Sequence, residues 1–452
     1  MIKLNDIQHF YFIGIGGIGM SALARYFRAQ GLDVSGYDKT GTQLTRELEA
    51  EGIQINYQDE IEQIPPAFLR KPEKSLVVYT PAIPKDHQQF QFLKERKFPI
   101  VKRAELLGLL SSEKFTMAVA GTHGKTTTTA ILGHLLKETG APVTAFLGGV
   151  SEDIQSNLIM KGDEVIVVEA DEFDRSFLHL KPNLAAITSM DADHLDIYGE
   201  KAELEKSFRE FAAKLPEDGK LYVKNGLPLK GYRIGVEDES EFSAQNVRIQ
   251  NGEYLFDLHT PKGTIENLQF NLPGKHNLLN AITALAMAID YGSPTVDLGR
   301  ALHSFKGVRR RFSYRIKTSE QVLIDDYAHH PTEIAAVHQA VREMYPNKKV
   351  LAVFQPHLFS RTRDFAEEFA QSLSVFDEVM LMDIYPAREI PIEGISSAWL
   401  LEKIENEKKQ LVSKEELASS IKKSSAEVVM MIGAGDIGEE VEKVQKALLN
   451  EA

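Results

Sequence analysis

FTMAVAGTHGKTTTT, residues 115–129, runs from an apolar segment through a turn with glycines at 121 and 124 into a run of threonines. The apolar segment predicts a buried strand and 126–139 predicts a helix, the order that a phosphate-binding loop requires. In such a loop the backbone from Gly121 through Thr122, His123 and Gly124 cradles phosphates. Lys125 reaches the β and γ positions, the Thr126 hydroxyl can ligate Mg2+, and Thr127 shares the first helical turn. The loop is shorter than GxxxxGK[ST], because Val119 stands where the first glycine belongs. A GKT at an ordinary helix cap is the plain alternative, and the strand before it and the threonines after it weigh against that. The expectation is a site for ATP and Mg2+.

Upstream, HFYFIGI at 9–15 reads as a strand, with a helix at 20–30 and a second strand at 33–37. Between the first strand and the helix lies Gly14-Ile15-Gly16-Gly17-Ile18-Gly19, and Asp38 follows the second strand. Glycines let a backbone approach a pyrophosphate at a helix N-terminus, and a carboxylate in that place accepts hydrogen bonds from a ribose or base. Alone, this spacing suggests a dinucleotide oxidoreductase or a tight turn that binds nothing. Strands near 75–79 and Ile100 and a connecting helix at 105–110 complete a first α/β section.

Downstream, the strand 164–169 ends in Glu169-Ala170-Asp171-Glu172, and another, 184–189, leads to Asp191-Ala192-Asp193-His194. In a parallel sheet the C-terminal strand ends share one side with the phosphate loop, so these groups can converge on magnesium phosphates. Solvated acidic loops and a hydrogen-bonding histidine are the bland readings. The pattern changes to short β segments over about 219–272. A helix is expected at 277–290 after Gly274-Lys275-His276-Asn277, with Asn280 one turn on; Asn277 is a fair N-cap, and adenine recognition is the sharper reading.

The last third restarts as α/β with strands at 321–325, 349–354, 378–382 and 428–432 and helices between them. Arg309-Arg310-Arg311 stands where this section begins, as a solvated linker or as a clamp on the γ-phosphate. Asp325-Asp326-Tyr327-Ala328-His329-His330-Pro331-Thr332-Glu333 follows one strand and opens a helix, capped by Thr332 or a neighbour. After the next strand come Phe354-Gln355-Pro356-His357 and Ser360-Arg361-Thr362-Arg363, where a guanidinium can hold a carboxylate. Gly433-Ala434-Gly435-Asp436 reads as a tight turn.

Composition bounds these readings. At 452 residues, 43% hydrophobic and 26% charged, the chain suits about three ordinary globular domains of roughly 150 residues each. The absence of cysteine excludes disulfides and thiolate chemistry, which favours magnesium over zinc. A net charge of −13 argues against a general nucleic-acid binder. Glycines interrupt the only early apolar run, and no window of about 18 residues is long and apolar enough to span a membrane. The expectation is a cytoplasmic protein with no membrane insertion.

The segments, in this order and over essentially the whole chain, resemble the Mur ligases. The resemblance implies three α/β domains: a Rossmann-like UDP-binding domain at 1–106, a central ATP-binding ligase domain with a parallel sheet and a small β excursion at 107–304, and a Rossmann-like amino-acid-binding domain at 305–452. FIGIGGIGMSALA, EADEFDRSFLHL, DADHLDIYG, DDYAHHPTE and FQPH followed by SRTRDF are similar to the branch that adds L-alanine. It therefore implies UDP-N-acetylmuramate and L-alanine as substrates, and a redox role for the first glycine loop recedes. By the same resemblance Gly16, Gly17, Ile18, Gly19, Asp38, Thr80 and Arg103 would hold the nucleotide sugar, with His123 near its lactoyl carboxylate.

Thr126, Glu169 and His194 match metal positions, with Lys125, Glu169, His194 and His329 as the catalytic set. His276, Asn277, Asn280, Arg310 and Asp326 match further ATP contacts, and Tyr327, His329, His357 and Arg361 match the amino-acid pocket. Leu358 stands where a related enzyme often carries arginine, which puts more weight on Arg361. No lysine follows His194 at the spacing where several sister ligases carry a carbamylated one, as is common in the alanine-adding branch. A ligase that adds a preformed tripeptide and a nucleotide-dependent switch are the competing readings, and a monomer and a homodimer are both compatible with the chain.

Overall fold

In a computed structural model the protein is described at residues 2–191, 201–250, 252–387 and 389–449. Its first sheet takes strands β1 (His9–Ile13), β2 (Asp33–Tyr37), β3 (Gln54–Asn56), β4 (Ser75–Tyr79) and β5 (Ile100–Lys102) in the order β3-β2-β1-β4-β5. All four pairings are parallel. Phe10, Tyr11, Phe12 and Ile13 are all fully buried, because crossover helices cover both faces of such a sheet. The order reverses at β1, so the crevice between the ends of β1 and β4 opens beside the first glycine loop and Thr80.

The second sheet draws on β6 (Phe115–Ala120), β7 (Val143–Ser151), β8 (Ser156–Met160), β9 (Val165–Ala170), β10 (Leu184–Ile187), β11 (Lys220–Lys224), β12 (Tyr232–Val236), β13 (Phe242–Gln250), β14 (Glu253–Thr260) and β15 (Gly263–Phe270). Its order is β15-β14-β13-β12-β11-β10-β6-β9-β7-β8. Here β6 lies between β9 and β10, parallel to both. The phosphate loop after β6 is therefore flanked by the ends of the two strands that carry Glu169 and lead to Asp191. The β7–β8 pairing is antiparallel, a hairpin that sequence periodicity did not reveal.

The third sheet has the order β16-β17-β21-β18-β19-β20, from β16 (Ser313–Lys317), β17 (Val322–Asp326), β18 (Val350–Phe354), β19 (Glu378–Leu381), β20 (Lys409–Leu411) and β21 (Val428–Ile432). It is parallel except for the β16–β17 pair. Alternate residues of its strands feed two separate apolar clusters, one on each face.

The chain gathers into two compact units. One comprises Met1–Val247, Phe256–Gln269 and Leu279–Lys306, and the other Arg248–Leu255, Phe270–Leu278 and Gly307–Ala452. The first unit contains the first sheet and most of the second because one apolar cluster runs through both: Phe10, Phe27, Leu106, Phe146, Val168 and Phe177 all belong to it. The helix Ile18–Ala29 makes this possible. Every residue from Met20 to Phe27 is buried, so it packs on both sides rather than showing the single apolar stripe of a surface helix. Among the described residues no helix is long and apolar enough to cross a membrane.

Candidate active site

The phosphate loop is held from three sides within the first unit. Gly121 and Gly124 have φ of 133° and 83°, which a side chain would strain. A Cβ on Gly124 would also lie 2.5 Å from Asn280 Oδ1, so the loop meets Asn280 at backbone distance. The end of β10 supports the turn. The Thr122 and Ser189 hydroxyls are 2.9 Å apart, His123 N donates to Ser189 Oγ at 2.6 Å, and Asp191 N donates to Thr122 Oγ1 at 3.1 Å. Thr188 donates to the His123 carbonyl. His123 Nε2 lies 3.4 Å from Asp191 Oδ2.

Lys125 Nζ donates to the Gly121 carbonyl at 2.6 Å and to Glu172 Oε1 at 2.8 Å, and Glu172 is fully buried. Burial disfavours the charged amine, but the carboxylates of Glu172, Asp171 and Glu169 outweigh it, and the pKa of Lys125 lies above the ordinary lysine value. The lysine is thus a fixed cation. Thr126 Oγ1 lies 3.0 and 3.1 Å from the two Glu169 oxygens. A Cβ on Gly148 would fall on that carboxylate, so β7 packs its backbone directly against it. A hydroxyl in the first turn of the helix after β6 and a carboxylate near the end of the adjacent strand β9 are hard oxygen donors of the kind Mg2+ takes, with most other ligands coming from phosphate and water. His194 and Asp193 lie outside the described residues.

The first glycine loop opens into a cleft of about 700 Å³. Gly16, Gly17, Ile18, Gly19, Asp38, Thr80 and Arg103 line one part of it, and Phe146, Leu147, Gly148, Glu169 and Asp171 line another. Asp38 Oδ2 accepts from Gly16 N at 2.8 Å, which orients the carboxylate at the loop instead of leaving it to solvent. Arg103 Nη2 donates to Asp171 Oδ2 at 3.3 Å, and a Cβ on Gly19 would lie 2.8 Å from Arg103 Nη1. The expected nucleotide-sugar residues other than His123 therefore share one cleft, and that cleft reaches Glu169. Sequence reasoning missed the contribution of β7; the Gly148-Gly149 pair was its only local signal.

In the second unit, His330 caps the helix Pro331–Met344, accepting from Thr332 N at 3.4 Å, while Glu333 Oε2 accepts from His329 N at 2.9 Å. Adjacent histidines thus have different neighbours. His330 packs edge-on to Phe365, whereas the His329 ring stands 5.4 Å from Tyr327 and 6.0 Å from His357, which stacks on Tyr385 at 5.7 Å. Arg310 and Arg311 both lie over the Tyr327 ring, at 5.2 and 5.1 Å. Arg310 also donates to Asp325 at 3.3 Å and to the Gly433 and Gly435 carbonyls, so the GAGD turn holds its guanidinium. Asp326 is buried and accepts from Phe312 N and Ala328 N, both at 2.7 Å. Burial raises its pKa to about 6, against the lowering effect of Arg311 and those two bonds.

Arg361 is buried on the helix Phe359–Asp364, which begins after Leu358 at φ 70°. The helix at 275–291 starts before Asn277, so that residue is not the N-cap expected from sequence. Its side chain donates to the Pro273 carbonyl at 2.7 Å, and Gly274 supplies a φ of 94° just before the helix. His276 follows that turn, and Asn280 belongs to the other unit, beside Gly124.

Three family models match the chain: "Mur ligase family, catalytic domain" over 9–115, "Mur ligase middle domain" over 119–288, and "Mur ligase, glutamate ligase domain" over 310–438. A UDP-N-acetylmuramate–L-alanine ligase of Christiangramia forsetii is 74% identical over 452 residues, 100% of both chains. One from Flavobacterium psychrophilum is 61% identical over 447 residues, 99% of both. The crystal structure of a UDP-N-acetylmuramate-alanine ligase from Thermotoga maritima superimposes with a TM-score of 0.83 at 28% identity, covering 98% of this chain and 99% of that one.

Proposed function

The chain belongs to the Mur ligase family, and from that premise we propose that it joins L-alanine to the lactoyl carboxylate of UDP-N-acetylmuramate at the expense of ATP, a step of peptidoglycan precursor synthesis. The observation that carries the division of labour is the single cleft running from the Gly16–Gly19 loop to Glu169, the carboxylate that Thr126 of the phosphate loop contacts. One elongated substrate can then have its diphosphate at the glycine loop and its carboxylate beside the ATP phosphates.

Gly16, Gly17, Ile18, Gly19, Asp38, Thr80 and Arg103 hold the nucleotide sugar, and His123 stands near its carboxylate. The Gly121–Thr127 loop and Asn280 hold ATP, with His276, Asn277, Arg310 and Asp326 as further contacts. Lys125 carries charge to the γ-phosphoryl group as it moves to the lactoyl carboxylate. Thr126, Glu169 and His194 would hold Mg2+ together with phosphate and water oxygens, and it would supply positive charge to neutralise that group. The amine of L-alanine then attacks the acyl phosphate carbon, phosphate leaves, and an amide remains. Tyr327, His329, His357 and Arg361 form the amino-acid pocket, with His329 the proton acceptor for the amine. The domains are 1–106, 107–304 and 305–452, and the protein works in the cytoplasm as a monomer or homodimer.

The test is phosphate release with ATP, Mg2+, UDP-N-acetylmuramate and one amine donor at a time. Release that depends on L-alanine together with the nucleotide sugar supports the reading. Release with a preformed tripeptide but not with L-alanine would replace the donor, and release that ignores both substrates would leave only a nucleotide-dependent switch.

A further inference from the structure

We propose that Asn157 is a positioning residue, which sets the spacing between the nucleotide and carboxylate ends of the bound sugar by fixing the glycine-loop helix to the ATPase sheet. The inference rests on the ligase reading above.

Asn157 lies on β8 and is fully buried. Its Nδ2 donates to the Ile18 carbonyl at 2.6 Å and to Ser21 Oγ at 2.9 Å, and its Oδ1 accepts from Arg25. Only one orientation of the amide satisfies these partners, since the carbonyl can only accept and the guanidinium can only donate. Ser21 Oγ in turn donates to the same Ile18 carbonyl at 2.9 Å. Arg25 also donates to Glu51, at 2.9 and 3.0 Å, and to Glu47, at 3.2 Å. Asn157 thus grips the first turn of the helix Ile18–Ala29, whose opening residues line the cleft, and a side chain already fixed to the helix Gln43–Ala50.

The other end of the linkage reaches the phosphate site. Leu158, next in sequence, pairs with Phe146 on β7, two residues before Gly148, whose backbone packs on the Glu169 carboxylate that Thr126 contacts. Around this linkage the two sheets meet mostly through apolar contacts such as Tyr26 against Phe146, with ring centroids 5.4 Å apart. Apolar contact is non-directional and tolerates sliding, whereas a buried amide with three partners does not. A substrate held at both ends reads that difference, because misplacing reacting atoms by about 1 Å costs about 10²-fold in rate.

UDP and UDP-N-acetylmuramate are the probes, since UDP engages only the glycine-loop wall. In Asn157→Ala, the dissociation constant for UDP should stay within about twofold of the parent value. Binding of UDP-N-acetylmuramate should weaken several-fold, and kcat/KM for it should fall about 10- to 100-fold, with KM for ATP unchanged within about twofold. Ser21→Ala, which removes one of the two partners of the Asn157 Nδ2 group, gives the same split to a smaller degree if the alanine variant fails to fold. Equal weakening of UDP and UDP-N-acetylmuramate in these variants, or no change in either, would overturn the inference. The binding ratio is measured without turnover, so a parent protein that shows no L-alanine-dependent phosphate release defeats the ligase reading but leaves this test standing.

Discussion

The two strand-to-helix glycine loops of the first unit look alike in sequence and are built oppositely. Gly121–Thr126 is filled by its own surroundings: Lys125 is tied to Glu172 and to the Gly121 carbonyl, Thr126 to Glu169, and Thr122 and His123 to the end of β10. Gly14–Gly19 is left open, with Asp38 on one amide, Arg103 under Gly19 and a cleft of about 700 Å³ in front. Loop stereochemistry permits phosphate in both. Under the proposed function, the side chains delivered by neighbouring elements suit the first to phosphoryl transfer as a preorganised charged site and the second to holding a large neutral-and-anionic ligand.

Glu172→Gln should break the filled loop most severely. Removing the buried member of this ion pair costs about 3 kcal/mol, because Lys125 loses its hydrogen-bonded carboxylate and keeps only the more distant charges of Asp171 and Glu169. Urea unfolding should record the loss, and an unchanged midpoint would mean that Glu172 is not what holds the lysine. Lys125→Met should reduce kcat by about 10³-fold, the scale of losing one preorganised electrostatic contact to a developing charge, while UDP binding stays intact. A matching loss of UDP affinity would erase the distinction between the loops.

Gly16→Ala probes the open loop. Its Cβ would lie 2.8 Å from both Asp38 Oδ2 and Thr45 Cγ2, so overpacking of about 1–3 kcal/mol is expected, with a raised KM for the nucleotide sugar and an unchanged KM for ATP. Asp38→Asn should act in the same direction but more weakly, near 1 kcal/mol in UDP binding by calorimetry, because an amide oxygen still accepts from Gly16 N without the charge. If this variant altered ATP turnover more than UDP binding, the carboxylate would have to be reassigned.

The adjacent histidines teach a related lesson. Both were legible as unusual residues at a strand-to-helix turn, yet which one caps the helix depended on the geometry that puts His330 Nδ1 on Thr332 N and leaves the His329 ring near Tyr327 and His357. Likewise Arg310 was legible as a boundary cation, but its attachment to the Gly433 and Gly435 carbonyls joins residues more than a hundred positions apart. The hairpin β7–β8 was missed for another reason. The longer strand, β7, is interrupted by Gly148-Gly149, β8 has only five residues, and neither carries a sequence period distinct from that of a loop.

From sequence alone came the α/β class, the two loops, their order and the resemblance that joined them, because glycine placement and strand-to-helix succession are local properties of the backbone. Tertiary structure alone decided that Glu172 neutralises Lys125, that β7 lines the cleft beside Glu169, and that Asn157 ties the glycine-loop helix to the ATPase sheet. A buried charge or amide must find its partners wherever the fold brings them, and those partners lie 47, 43 and 139 residues away in the pairs Lys125–Glu172, Thr126–Glu169 and Ile18–Asn157. No local pattern records such distances; packing does.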